Sequence, residues 1–112
     1  MTEATGSVIV ASNVLVRLVS MAIHELPGVA RLGTAPRARS SLRGGSSGKG
    51  VALWVGAEGV SINCYVIALA DTNLLELGIT IQATVAAVIQ ELAGMAVREV
   101  NVYIQDVEAS SG

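Results

Sequence analysis

Phenylalanine is absent from this sequence, tryptophan occurs once and tyrosine twice. The core must therefore be aliphatic, and its many β-branched residues favour strands. A single cysteine, Cys64, excludes an intramolecular disulfide and fits a reducing compartment. A single histidine, His24, with no cysteine or carboxylate cluster beside it in sequence, excludes a zinc site. Its place near a helix end gives the imidazole a simpler role, meeting the last carbonyls. Uninterrupted apolar runs stay far below the roughly 18 residues that span a bilayer. The opening "MTEATGSVIVAS" lacks the basic-then-apolar order of a secretion signal. A soluble, cytoplasmic chain without a transmembrane segment is expected. Charged residues make up only 14% and the net charge is −2, so no strong global attraction to nucleic acid is expected.

The machinery of catalysis is also missing. No serine lies in a nucleophile-elbow pattern, so His24 with Asp71 or Asp106 completes no triad. Cys64 sits mid-strand on an apolar face, where a cysteine behaves as a small hydrophobe. Asp71 and Glu76 flank the start of the second helix, where they complement its dipole. No catalytic, cofactor-binding or metal-ligating residue is assigned, and the chain is expected not to be an enzyme.

What is present is unevenly spread. Five of the seven cationic residues (Arg31, Arg37, Arg39, Arg43 and Lys49) lie between positions 31 and 49, and no acidic residue lies between Glu25 and Glu58. Within this segment "GGSSGKG", Gly44 to Gly50, resembles a phosphate-binding loop only superficially. Arg43 stands where the first glycine of a Walker A loop belongs, Gly50 replaces the hydroxyl residue, and the lysine leads into a strand instead of a helix. Residues 33–49 read as one flexible basic loop. Arg37, Arg39, Arg43 and Lys49 then have two readings: a solvated surface loop, or an electrostatic contact with an anionic partner, membrane surface or nucleic acid. No aromatic residue is interleaved, which weakens base-stacking modes of RNA binding.

The periodicities give an element order. "SVIVA" at 7–11 reads as a short strand, and Ser12 or Asn13 as the N-cap of a helix carrying Val14, Leu15, Leu18, Val19 and Ala22. That helix ends near Glu25, ahead of Pro27. "VARL" reads as a short strand. "KGVALWV" and "VSINCYVIAL" form a hairpin across "GAEG". Val60, Ile62, Cys64, Val66 and Ala68 share one face of the second arm. Asn73 and Glu76 fit a capping box opening a helix with Leu74, Leu77, Ile81, Val85, Val88 and Leu92 on its apolar stripe, closed by Gly94. "VREVNVYIQDV" is the last strand. The expected fold is α+β in the order β-α-β-loop-β-β-α-β: a small antiparallel or mixed sheet with two helices on one face. Length makes it a single domain, 1–112, with short disordered termini. Trp54, Asn101 and Tyr103 fall on the less apolar strand faces, a strip suited to binding protein or to being covered by the termini.

Four pieces of the chain resemble the alkaline shock protein twenty-three / Gls twenty-four family: Glu25 to Val29 after a strand and helix, Lys49-Gly50-Val51 opening a strand, a helix carrying Gln82 and Val85, and the run Gly94, Met95, Val97, Val100, Asn101, Val102, Ile104. The likeness runs from about Gly6 to Val107, with Ala70-Asp71 where a Tyr-Gly pair is usual. It implies a non-enzymatic cytosolic protein of the Gram-positive envelope stress response, without cofactors. It further implies self-association and a membrane-anchored protein partner at the inner face of the cell membrane. The alternative is a binder of nucleic acid or anionic surfaces through the loop at 33–49.

Overall fold

The computed structural model describes residues 4–36, 45–48 and 50–110. The first helix, α1 (Ser12–His24), forms because Leu15, Val16, Val19 and Ile23 recur at helical spacing and share one buried stripe. Its N-cap is Ala11, with no side-chain capping bond, so neither Ser12 nor Asn13 serves as the cap. The helix stops at Glu25, two residues before Pro27, and Gly28 turns the chain with φ of +94°.

The strand expected at 7–11 does not form. Among the described residues nothing forms a ladder with 4–11, and Val8 and Ile9 are 93% and 87% exposed. β-Branched residues supply a preference for extended backbone, but a strand also needs an edge to pair with. Part of the expected 33–49 loop goes the other way: β2 (Ser46–Gly48) pairs antiparallel with β3 (Val51–Gly56). The serine and glycine there fold back beside the strand they precede and occupy its outer edge.

β4 (Gly59–Leu69) is the centre of the five-stranded sheet. It forms the expected hairpin with β3, closed by the pair Gly56 and Gly59 across Ala57 and Glu58. β3 covers only the first half of that edge of β4; β1 (Val29–Leu32) takes over the second half, pairing at Val66 to Ala68. The hand-over occurs at Tyr65. Its N–H donates to the Gly50 carbonyl (2.7 Å) and its carbonyl accepts from the Gly33 N–H (2.7 Å). Gly50 has φ of +66°, and a Cβ there would lie 2.8 Å from the Tyr65 carbonyl oxygen. The glycine of "KGV" is therefore required by the close approach of two strand ends. On the opposite edge of β4 runs β5 (Val97–Glu108), parallel and in register from Ser61 to Val66, which makes the sheet mixed.

The connection from β4 to β5 is α2 (Leu74–Leu92). Asn73 caps it by accepting from the Glu76 N–H at 3.0 Å, and Gly94 follows its end with φ of +65°. The buried ridge is Leu77, Ile81, Val85 and Ile89, a single row four residues apart. Leu74 and Leu92, expected on the stripe, are exposed, because a straight i+4 ridge replaces them with Ile89. By length and composition alone α2 is long and apolar enough to cross a bilayer. Here its ridge packs into the protein core with α1.

Both helices lie on one face of the sheet. That face contributes Val51, Leu53, Val60, Ile62, Cys64, Val66 and Ala68, all fully buried. Each of the valine, leucine and isoleucine side chains among them stabilises the fold by roughly 1.5–3 kcal/mol relative to exposure. The two-residue period of β4 sends its other residues to the opposite face, which carries no helix among the described residues.

Candidate functional site

The helix-free face is ordered in rows across the sheet. Trp54, Ser61 and Glu99 make the first row, Ala52, Asn63 and Asn101 the second, Tyr65 and Tyr103 the third, and Arg31, Ile67 and Asp106 the fourth. Parallel in-register pairing sets like beside like in the middle rows. The Asn101 Nδ2 donates to the Asn63 Oδ1 at 3.0 Å, and the Asn63 Nδ2 donates to the Tyr65 hydroxyl at 3.4 Å. The rings of Tyr65 and Tyr103 stack with centroids 5.0 Å apart and planes 11° from parallel. Tyr65 is buried by this stacking and by its neighbours, whereas Tyr103 is 47% exposed.

Polar contacts fasten both ends of the face. Gln105 is the extra residue of a bulge between Ile104 and Asp106, and its amide clasps the Thr34 backbone twice. Its Oε1 accepts from the Thr34 N–H at 3.0 Å, and its Nε2 donates to the Thr34 carbonyl at 2.9 Å. Arg31 reaches Glu108 at 2.7 Å, joining the two outer strands across β4. At the other end Arg98 lies 3.6 Å from Glu58 and 3.8 Å from Glu99. These exposed pairs contribute about 0–1 kcal/mol each and set the charge of the rim more than its stability. A shallow depression there is lined by Trp54, Gly56, Glu58, Ser61 and Arg98.

A second depression, of about 540 Å³, opens between the end of α1 and β1. His24 and Glu25 line it with Ser20, Met21, Arg31 and Leu32, and Arg31 is already engaged by Glu108. Cys64 is on the other, helix-facing side of β4, fully buried, with its thiol pushed up to about 12 by desolvation. A thiol so placed is not a nucleophile at neutral pH. Among the described residues no group of three or more His, Cys, Asp and Glu side chains gathers to hold a metal.

Of the sequence candidates, Asn101 and Tyr103 come together at the centre of the open face. Trp54 lies on the same face, two rows from the tyrosine stack and two strands from β5. Arg37, Arg39, Arg43 and Lys49 lie outside the described residues. The residues that complete the site, Asn63, Tyr65, Gln105 and Arg31, carried a signal in part. The triplet Asn-x-Tyr occurs twice, as Asn63-Cys64-Tyr65 and Asn101-Val102-Tyr103, and the parallel register superposes the two. The Gln105 clasp depends on a bulge and has no such signature.

Chemically, this face offers amide and phenol groups for hydrogen bonds and flat rings for contact area. Those are the ingredients of a protein-binding patch, with aromatic side chains at its centre and charges at its rim.

A family model described as having a cell envelope-related function matches residues 1–109. Comparison with curated proteins and with solved structures returns no match. The match covers nearly the whole chain, including both helices, the "KGV" junction and the two Asn-x-Tyr strands: the chain belongs to the alkaline shock protein twenty-three family, a family of cell envelope-related function.

Proposed function

We propose that this chain is a non-enzymatic interaction protein of the cell envelope stress response, acting by self-association and by binding a membrane-anchored protein at the inner face of the cell membrane. The observation that carries the reading is the Asn63–Asn101 and Tyr65–Tyr103 ladder on the sheet face opposite the helices. Side chains already locked by stacking and hydrogen bonds lose little entropy on binding, so their contact area converts efficiently into affinity. Family membership supplies the envelope context.

Co-sedimentation with inverted membrane vesicles from the host tests this. The wild-type chain should bind, and Tyr103→Ala with Asn101→Ala should lose binding while the circular dichroism spectrum is kept. Retained binding by that double variant would place the partner on another surface. Protein-free anionic liposomes form the control. Binding to these that disappears when Arg37, Arg39 and Arg43 become alanine would favour the basic loop instead.

A further inference from the structure

We propose that a second copy of this chain lays its segment 6–11 along the outer edge of β5, adding a strand to the sheet. The inference rests on the self-association in the reading above and names its contact.

Two features that lack a strand partner among the described residues complement each other. The segment Gly6 to Ala11 forms neither helix nor ladder, carries Val8, Ile9 and Val10 in succession, and exposes Val8 and Ile9 almost fully, while Val10 packs against the chain's own core. The other feature is β5. One of its edges is bonded to β4 along its length; among the described residues no strand pairs with the other, where the Val100 carbonyl accepts from the Gln82 Nε2 at 3.2 Å and the backbone groups further along carry no such contact to α2. An open row of backbone donors and acceptors is a template for strand addition. Beside this edge a groove runs between α2 and β5, lined by Leu74, Leu75, Ile79, Val102 and Ile104, with Gln82 as its polar side chain. Leu75 and Ile79, one helical turn apart on its wall, are 76% and 57% exposed. Strand alternation sends Val8 and Ile9 to opposite faces. One of them therefore enters the groove, and the other lies on the open face near Tyr103.

The occupant is another copy's segment for reasons of place, charge and size. The segment leaves α1, which packs over β1, β2 and β3, whereas α2 packs over β5. The segment is rooted at the head of α1, where Val16 lies against Gly48 of β2, three strands from β5; six residues reaching ~20 Å would be spent crossing the sheet and could not also lie along their own β5 edge. Pairing β5 with a second β5 would oppose like charge, since Arg98 is outnumbered by Glu99, Asp106 and Glu108 on that strand. Residues 4–11 carry no charge and avoid this conflict. A β5 pair would also engage only its 12 residues. Reciprocal exchange engages on each copy the segment, the half of β5 that it pairs with and the α2 wall, roughly 16 residues a side and closer to the ~20 of a stable interface. Because segment and edge are unlike surfaces, copies either exchange segments into a closed dimer or extend into a filament.

The experiment is light scattering on the full chain, with Val8→Lys plus Ile9→Lys and, separately, Ile79→Lys. All three positions are exposed, so the variants keep the native circular dichroism spectrum. The wild type should be oligomeric and both variants should fall to the monomer mass. Samples of Val8→Cys and of Ile9→Cys, each mixed with Ile79→Cys, should yield a disulfide to position 79 from one of the two on mild oxidation, identified by mass spectrometry, and none from either would overturn the contact; buried Cys64 does not compete. An oligomer that persists in both lysine variants overturns this contact and leaves self-association standing. A monomeric wild type overturns both. Lysine variants that remain oligomeric but no longer bind host membrane vesicles would assign the segment to the membrane partner, which also overturns the proposal.

Discussion

Tyr65 and Tyr103 stack at 5.0 Å because each ends an Asn-x-Tyr triplet, and the triplets lie side by side in parallel register. The stack and the Asn63–Asn101 bond above it report the same alignment. Slipping β5 by one residue would set Val102 against Tyr65 and turn the apolar residues of β5 away from α2. The ladder thus fixes the strand that carries the free edge, and the surface proposed for binding also secures the sheet.

Replacing Tyr103 separates those two roles. Tyr103→Ala should lower stability by about 1 kcal/mol for the lost aromatic pair and by about 1 kcal/mol more for the buried half of its ring. Tyr103→Phe keeps the stack and should be nearly neutral in urea unfolding. Membrane binding should fall far more than stability in the alanine variant, because a central aromatic is the usual energetic anchor of an interface.

The amide pair can be weighed by a double-mutant cycle. Asn63→Ala and Asn101→Ala should each cost about 1 kcal/mol, since each leaves a part-buried amide without its partner. The two together should cost less than the sum, by ~0.5 kcal/mol or more, as expected of residues in direct contact. Strict additivity would show that the 3.0 Å contact contributes nothing to folding.

Two glycines with nearly equal φ test the β4 junction. Gly94→Ala meets open space, so only backbone strain of about 1 kcal/mol is expected. Gly50→Ala meets Leu32 and the Tyr65 carbonyl oxygen as well. It should cost at least ~2 kcal/mol more, in the range of a buried clash added to strain. Equal shifts in the urea midpoint would show that β1 and β3 can separate around Tyr65 without penalty.

Which parts were legible in the sequence follows from how local their causes are. The Asn73 cap, the stop before Pro27 and the Gly56–Gly59 hairpin rest on a few adjacent residues, and all three are present. β2 was hidden because a Ser-Gly run has no strand preference and is ordered by β3. Residues 7–11 erred in the opposite sense, with strand preference and no edge within reach. The candidate site was half visible: Asn101, Tyr103 and Trp54 follow from alternation along single strands. Their partners required knowing that β5 runs parallel to β4, which helix α2 brings about by returning the chain to the starting end of β4.

Alkaline pH offers a last test, through Cys64. Burial raises its thiol from an ordinary 9.0 to about 12 in the folded chain. Between those values the unfolded state has lost the proton and the folded state keeps it, so folding binds a proton and stability falls as pH rises. The slope is about 1.4 kcal/mol per pH unit across that window. Below pH 9 this contribution is fully present. Other groups titrate there too, and Cys64→Ala isolates the thiol. At pH 8 the wild type should be the more stable by ~1 kcal/mol, because alanine leaves a small cavity. From pH 9 upward its advantage should shrink and then reverse. Parallel stability curves for the two proteins between pH 8 and 11 would show that Cys64 ionises as readily in the folded chain as in the unfolded one.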